Sequence, residues 1–275
     1  MIAATTLAVV GPGSEQVVGE PRIRLLGPLR IHGTPGTPPP MVSRTLALLA
    51  LNAGQGVGAA QLADELWSDN PPRTFTTTLH TYIYHMRKHL LGIEVETLGS
   101  CYMLKAEPDE VDALRLIRVV KATTLKLKAG RLEDVRVDLE AALKLLRGAP
   151  LVSMQCGVQL TNWAAEIGDY IQTASLRRFE VGLMLGEHRE LLNELTAAWR
   201  RDLTREDLAA LLILALCRCM RLDKVADVFR ATRSELADER GTDPCPQLER
   251  LYRRVLDNDR ELLEPHRTLD ILAAF

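Results

Sequence analysis

The feature that most constrains this chain is a change in the spacing of its apolar residues at Pro108. Before this proline, short alternating stretches are mixed with helical ones, which predicts a small domain with both strands and helices. After it, apolar residues recur only at helical spacing, and short joints rich in glycine, aspartate and proline separate the helical stretches. The sequence therefore predicts a mixed head followed by an all-helical body, which together make a mainly α protein.

The body is predicted to contain seven helices joined by short turns. Their predicted ranges are 109–128, 131–147, 159–185, 188–201, 204–221, 223–240 and 245–258. Helices that alternate with tight turns pack as antiparallel pairs. The helical pattern that starts at Glu187 starts again near Asp223, close to the roughly 34-residue period of tetratricopeptide repeats. The body is therefore predicted to be a tetratricopeptide-like array.

The first part of the head is predicted to form two strands, a loop and a helix. Apolar residues alternate over 23–31 around a Gly-Pro pair, which favours two short strands with a turn. Residues 33–40 contain too much proline and glycine for regular structure, so we expect a loop there. We expect Ser43 to cap a first helix, which ends at Gly54.

The second part of the head is predicted to form two more helices and a β-hairpin. Gly58 can cap the second helix, and the loop 68–72 ends it because consecutive prolines cannot continue a helix. A third helix is predicted over 74–91, followed by a hairpin over 93–104. Three helices followed by a hairpin are typical of a winged helix-turn-helix, whose third helix reads DNA.

These patterns divide the chain into four predicted segments. Residues 1–20 are expected to be a flexible tail, 21–105 the winged-helix domain, 106–262 the tetratricopeptide-like domain and 263–275 a second tail. The winged-helix segment carries eight Lys and Arg against five acids, whereas the chain beyond it has three more acids than bases. A basic head on an acidic body favours a polyanion as the ligand of the head.

The third predicted helix has an apolar face and a face without acids. Leu79, Ile83 and Met86 share the apolar face, which predicts contact with a core. The opposite face carries side chains that can all form hydrogen bonds: Thr77, Thr81, Tyr84, His85 and Lys88. No acid lies in this helix, as a helix close to phosphates requires. The alternative interpretation is a solvated face that merely lacks acids.

Composition argues against a membrane protein and against a nucleotide-binding enzyme. No apolar run approaches the roughly 18 residues of a membrane span, and no Gly-Lys pair is present for a phosphate-binding loop. The five cysteines are an odd number without a C-x-x-C pair, which favours a reducing cytoplasm over disulfides or a metal site. We therefore expect no enzyme activity, cofactor or membrane association, and a cytoplasmic, nucleoid-associated location.

Two parts of the sequence resemble a known family. RIRLLGPLRI (22–31), QLADELWSDNPPR (61–73) and TTTLHTYIYHMRKHLLG (76–92) are similar to the OmpR-type winged helix of the Streptomyces antibiotic regulatory proteins. From EPDEVDALRL (107–116) to QLERLYRRVLDND (247–259), the chain resembles the bacterial transcriptional activator domain of the same family. The resemblance covers nearly the whole chain.

This resemblance implies a sequence-specific DNA-binding transcriptional activator of a secondary-metabolite (antibiotic) biosynthetic cluster. Family members bind direct repeats in double-stranded DNA as homodimers and recruit RNA polymerase holoenzyme. The implied DNA-contacting residues lie in or beside the third helix and in the wing: Arg73, Thr77, Thr81, Tyr84, His85, Arg87, Lys88 and Ser100. The implied polymerase-facing loop consists of Ser68, Asp69, Asn70, Pro71 and Pro72.

The sequence departs from the family pattern at Gly58, where a Ser or Thr helix cap is common, and at three places in the third helix and the wing. His85 stands where arginine is common, Cys101 stands where a glycine precedes the wing tyrosine, and Leu98-Gly99-Ser100 replaces basic residues at the wing tip. We therefore expect a weaker contact between the wing and the minor groove. The alternative function is a tetratricopeptide-like interaction scaffold without specific DNA binding, which would not bind DNA in a salt-dependent manner.

Overall fold

A computed structural model of the chain describes residues 19–68 and 70–272. Within these residues, a head of short strands and three helices precedes a body made of helices, which confirms the predicted mainly α fold. The head contains β1 (Ile23–Arg24), β2 (Arg30–Ile31), α1 (Pro40–Leu51), β3 (Gly56–Gly58), α2 (Ala59–Trp67), α3 (Phe75–His89), β4 (Val95–Leu98) and β5 (Cys101–Leu104). Residues 1–18 and 273–275 of the predicted tails, and Asp69, lie outside the described residues.

The main helices of the body follow the predicted ranges closely. They are α4 (Asp112–Lys128), α5 (Leu132–Leu143), α6 (Val158–Met184), α7 (His188–Arg201), α8 (Glu206–Arg218), α9 (Leu222–Arg240) and α10 (Pro246–Leu256). Each of these helices packs against its neighbours along the chain. Gly130, Gly186 and Gly241 adopt positive φ angles at three of the joints, a conformation that glycine adopts at little cost. The predicted all-helical, tetratricopeptide-like body is thus confirmed.

The start of α1 differs from the prediction. The helix begins at Pro40, inside the stretch expected to be a loop, and Pro39 is its N-cap residue. Proline suits the first helical position because the N–H of that residue has no partner within the helix. Ser43 is buried in the first turn, where its hydroxyl donates a hydrogen bond of 2.8 Å to the carbonyl of Pro38. The predicted Ser43 cap is therefore wrong, because the proline run starts the helix.

The wing belongs to a three-stranded sheet in the order β3, β5, β4. The hairpin of β4 and β5 is the predicted one, with Gly99 in its turn at a φ of 59°. Strand β3 was not predicted, because its three residues are too few to show an alternating pattern. It pairs with β5, placing Val57 opposite Tyr102, and Val57 is buried there. The helix α2 starts directly after Gly58, as predicted.

The head is built around apolar side chains from strands and helices that are all buried. These residues are Leu25, Leu46, Leu49, Leu62, Leu66, Leu79, Ile83, Met86 and Leu104. They belong to a cluster of buried residues that runs from Ile23 in β1 to Val181 in α6. A second cluster, from Phe179 to Leu272, fills the rest of the body. The head thus shares its core with the first body helices, across the predicted domain limit at residue 105. The limits of the two domains stay predictions.

A carboxylate from the head caps the longest helix of the body. Glu65 in α2 is fully buried and accepts hydrogen bonds from the backbone N–H groups of Gly157 (2.6 Å), Gln159 (2.9 Å) and Leu160 (3.2 Å). These groups form the N-terminus of α6, where a negative charge is stabilised by free N–H donors and the helix dipole. The guanidinium of Arg44 lies 3.7 Å from the same carboxylate. Glu65 therefore holds α2 against α6.

A carboxylate from the body binds the head in return. Asp112, the first residue of α4, is fully buried and accepts hydrogen bonds from the backbone N–H groups of Leu25 (2.6 Å) and Leu26 (3.1 Å). A guanidinium nitrogen of Arg147 lies 3.8 Å from its second oxygen. Burial raises the pKa of Asp112, although the backbone donors and Arg147 act in the opposite direction. The turn between β1 and β2 is thus fixed to the body.

Part of the predicted C-terminal tail packs onto the body. The short helix α11 (Thr268–Leu272) contacts α6, and Thr268 is fully buried. Arg218 of α8 holds the preceding residues through hydrogen bonds of 2.9 Å to the carbonyls of Leu262 and Glu264. Burial lowers the pKa of this guanidinium, and it has only carbonyl oxygens as hydrogen-bond partners. Residues 260–272 therefore form a strap across the end of the array.

We predict that Gly157→Ala destabilises the chain. A Cβ atom at this position would lie 2.3 Å from the backbone oxygen of Glu65, so α2 and α6 must separate. We expect a loss of about 2 kcal/mol in the free energy of unfolding, measured by urea denaturation. Gly168→Ala in the same helix is the matched control, because a Cβ atom there meets nothing within 4 Å. It should stabilise the chain by about 0.5 kcal/mol, and equal effects of both substitutions would contradict the contact.

Candidate nucleic-acid interface

The helix α3 presents one face to the core and the other to solvent. Leu79, Ile83 and Met86 are buried, as predicted, and α3 packs through this side against α1 and β4. The hydrogen-bonding residues of the predicted outer face remain at the surface, half-buried in one case: Thr77, Thr81, Tyr84, His85 and Lys88. This confirms the predicted rotation of the helix, while the roles of these side chains remain untested.

The threonines of α3 are held by the helix itself. The Thr81 hydroxyl donates to the carbonyl of Thr77 at 3.1 Å, and the Thr78 hydroxyl donates to the carbonyl of Thr74 at 3.2 Å. Each hydroxyl oxygen then keeps lone pairs that can accept a hydrogen bond from outside. Thr81 is exposed, so the helix offers at least one small, ordered acceptor on its outer face.

Tyr84 and Lys88 form the most prominent part of the exposed face. The ammonium nitrogen of Lys88 lies 5.4 Å from the centroid of the Tyr84 ring, one turn away on the helix. This distance permits a cation–π interaction that orients both side chains. Tyr84 is 57% exposed, which is high for an aromatic residue. The pair presents a phenol hydroxyl, a planar ring and a positive charge together.

His85 lies at the edge of the face and is half-buried. Its ring centroid is 4.7 Å from that of His89, one turn further along the helix. The Nδ1 atom of His85 is covered and has no hydrogen-bond partner among the described residues. The Nε2 atom is therefore the ring nitrogen that can meet a ligand.

Arg87 connects α3 to the wing. Its Nε atom donates to the carbonyl of Val95 and its Nη2 atom to the hydroxyl of Thr97, both at 2.8 Å. Both acceptors belong to β4. The family resemblance implies Arg87 as a contact to DNA. In the structure, two of its donor atoms fix the angle between helix and hairpin, so it positions the interface.

The wing tip carries no charged side chain. Ser100 is exposed in the turn between β4 and β5, and its carbonyl accepts a hydrogen bond of 2.9 Å from Ala59 at the start of α2. Behind the tip, the ring of Tyr102 packs edge-on against His80 of α3, at 6.1 Å between centroids. Burial raises the pKa of Tyr102. The wing is thus anchored to α2 and α3.

The loop between α2 and α3 is exposed on either side of Asp69. Ser68 has a positive φ of 52° and ends α2 by donating its N–H to the carbonyl of Asp64. The N–H of Asn70 donates to the carbonyl of Trp67 at 3.1 Å, and Pro71 and Pro72 are exposed. Arg73 is exposed as well, immediately before α3. These backbone bonds and the prolines restrict the described residues on both sides of Asp69.

Two basic residues beside α3 were not expected from the sequence. A cavity of about 410 Å³ at the C-terminal end of α3 is lined by Lys88 and His89 together with Arg22 and Lys105, which are distant in sequence. Arg22 donates to the carbonyl of Gly92 at 2.7 Å. A hydrogen bond to Glu94 raises the pKa of Lys105. Only the fold brings these charges together, so no local pattern could have identified them.

Two negative findings apply to the described residues. None of their helices is both long and apolar enough to span a membrane. No three side chains among His, Cys, Asp and Glu lie close enough together to hold a metal ion.

Two protein families match the chain, one in each part. Residues 34–98 match the family described as transcriptional regulatory protein, C terminal, and residues 111–256 match the bacterial transcriptional activator domain. The first match contains α1 to α3 and the β4 strand, and the second contains α4 to α10. The second match alone spans more than half of the chain.

The chain is similar to several bacterial regulators. It is 32% identical to the regulatory protein DnrI of Streptomyces peucetius, over 86% of this chain and 93% of that protein. It is also 32% identical to the regulatory protein AfsR of Streptomyces coelicolor, over 92% of this chain but only 26% of that larger protein. Among solved structures, EmbR of Mycobacterium tuberculosis in complex with a low-affinity phosphopeptide has a TM-score of 0.82 and 28% identity. That similarity covers 93% of this chain and 70% of EmbR.

The two matched domains occur in the order that the fold shows, a winged helix followed by a helical array. DnrI matches this arrangement over nearly its whole length. The chain therefore belongs to the Streptomyces antibiotic regulatory protein family of transcriptional activators.

Proposed function

We propose that this protein activates transcription by binding specific sequences in double-stranded DNA through α3. The observation that carries the proposal is the outer face of α3, which is exposed, free of acids and flanked by a wing. A helix in the major groove must offer donors and acceptors to base edges while avoiding repulsion by phosphates. The α3 helix meets both requirements. Selection of tight-binding duplexes from a random DNA pool by the full chain tests the proposal, since a pure scaffold would enrich none.

We assign a different role to each group of side chains. Thr77, Thr81, Tyr84 and His85 read base edges, because they lie on the surface side of α3, with only His85 half-buried. Arg73 and Lys88 are exposed cations at the two ends of the helix and contact phosphates.

Arg87 and Ser100 act at the wing. Arg87 positions the hairpin through its bonds to β4, and its remaining nitrogen, Nη1, can reach the backbone of the DNA. Ser100 approaches the minor groove without a charge. The wing then contributes less affinity than one with a basic tip.

We further propose that the chain acts in the cytoplasm, at the chromosome, as a homodimer on direct repeats. It recruits RNA polymerase holoenzyme to a secondary-metabolite cluster. The names of the relatives support a regulatory rather than an enzymatic role: DnrI and AfsR are regulatory proteins, and RedD of Streptomyces coelicolor, 29% identical, is a transcriptional regulator. The loop of Ser68 to Pro72 is the proposed polymerase contact, because its described residues are exposed and are restricted by backbone hydrogen bonds and two prolines.

Substitutions in α3 should separate affinity from specificity. Lys88→Ala removes a phosphate contact, so it should weaken binding to all duplexes and lower the slope of log K against log salt by about 1. Tyr84→Ala should change the preferred bases, at about 1–3 kcal/mol for a lost base contact. Fluorescence anisotropy at several salt concentrations measures both effects. Lys128→Ala, an exposed lysine of the body, is the matched control, and an equal effect of this control would refute the assignment.

The polymerase contact can be tested without changing the fold. Asp69→Ala combined with Asn70→Ala leaves both prolines in place and should reduce transcription several-fold at unchanged promoter occupancy. Footprinting and reconstituted transcription on the same template measure the two quantities. Thr242→Ala with Asp243→Ala alters an equally exposed loop of the body and serves as the control. A parallel loss of occupancy and transcription would assign the loop to DNA binding instead.

The arrangement of two protomers predicts a dependence on helical phase. Heads on direct repeats approach the same side of the duplex only when the half-sites are separated by about 10–10.5 base pairs or a multiple of this distance. Inserting about five base pairs between the half-sites turns one of them by half a turn and should abolish cooperative binding. Inserting a full turn is the control and should restore it. Cooperative binding that is equally strong after the half-turn and the full-turn insertions would rule out this arrangement.

A further inference from the structure

A groove in the body, remote in sequence from the DNA-contacting residues, has the features of a binding site. A cavity of about 810 Å³ is lined by α7, α8 and α9. Its apolar lining includes Leu212 and Leu216 of α8 and Val228 of α9. All three side chains are buried from solvent by their neighbours, so they form a floor rather than an exposed patch.

The groove is structurally preformed. Trp199 of α7 lines one wall, and its indole N–H donates a buried hydrogen bond of 2.9 Å to the hydroxyl of Thr232 in α9. This bond joins the two outer helices of the groove across α8. A site whose walls are already ordered loses less entropy when a ligand binds.

The charges around the groove have an excess of cations. Lys224 is matched by Asp227 at 3.2 Å, and Asp227 is the only acid in the lining. Arg200 and Arg221 also line the groove, are exposed, and form no ion pair with any described residue. Two guanidinium groups thus stand at an apolar cavity without a carboxylate partner.

We propose that this groove binds an acidic segment of a partner protein. One apolar side chain of the segment enters above Leu212 and Leu216, and neighbouring carboxylates bind Arg200 and Arg221. Guanidinium groups form paired hydrogen bonds with carboxylates, which makes them well suited to this recognition. A nucleic acid would satisfy the charges but would leave the apolar floor unused. None of the lining residues belongs to the head, so the site is independent of the proposed DNA interface.

The experiment selects random-sequence peptides displayed on phage against the full chain. We expect the enriched peptides to carry Asp or Glu beside Leu, Ile or Phe. Arg200→Glu and Arg221→Glu should each weaken the binding of a fluorescent copy of one such peptide by about tenfold. The loss of a hydrogen bond to a charged group raises Kd by about this factor. Asn193 is an exposed residue of the cavity lining, so Asn193→Trp should block the cavity and weaken peptide binding as well.

The matched control is Lys144→Glu with Arg250→Glu, which makes the same change of charge at exposed positions outside the groove. It should leave peptide binding unchanged, and circular dichroism should be the same for all variants. Enriched peptides without acids, or peptides that bind the groove variants and the control equally, overturn the proposal. If sedimentation shows a dimer that Arg200→Glu and Arg221→Glu dissociate, the occupant is a second copy of this chain and the proposal fails.

Discussion

The packing of the head against the body depends on the carboxylate of Glu65. This group stands in α2, which packs on α3, and it accepts three backbone N–H groups at the start of α6. The donors have no partners within their own helix, so a side chain without acceptor oxygens would leave them unsatisfied. Arg44 compensates the charge from α1. A single side chain thus links α1 and α2 of the head to the longest helix of the body.

Asp112 makes the opposite connection, from the body to the turn after β1. The two carboxylates come from different sides of the predicted domain limit, and each satisfies backbone donors of the other part. Between them the buried cluster is continuous from Ile23 to Val181. The head and the first body helices therefore share one packed core, and α2 is bonded directly to the start of α6. A ligand bound to the body can influence the head only through such packed elements.

Elements with a regular internal period were predictable from the sequence. The apolar positions Leu79, Ile83 and Met86 fixed the rotation of α3, because a helix repeats every 3.6 residues regardless of its surroundings. Elements defined by distant partners were not predictable. The β3 strand is defined by its pairing with β5, which lies far along the chain. Nothing in the local sequence distinguishes Glu65 from other acidic residues, because its role depends on contact with α6. For the same reason, the position of the basic residues Arg22 and Lys105 beside α3 was not predictable from the sequence.

The outer face of α3, which we propose as the DNA-reading surface, presents side chains that are already ordered. The Thr81 hydroxyl is bonded to the preceding turn, Lys88 is held over Tyr84, and Arg87 fixes the hairpin. Binding then costs little side-chain entropy, which compensates for the missing charge at the wing tip. Ordered side chains also limit the range of base sequences that can bind, because a hydroxyl or ring in a fixed position contacts only those base groups that reach it there. In the proposed function, the preorganisation of these side chains, rather than a large positive charge, gives the head both affinity and specificity.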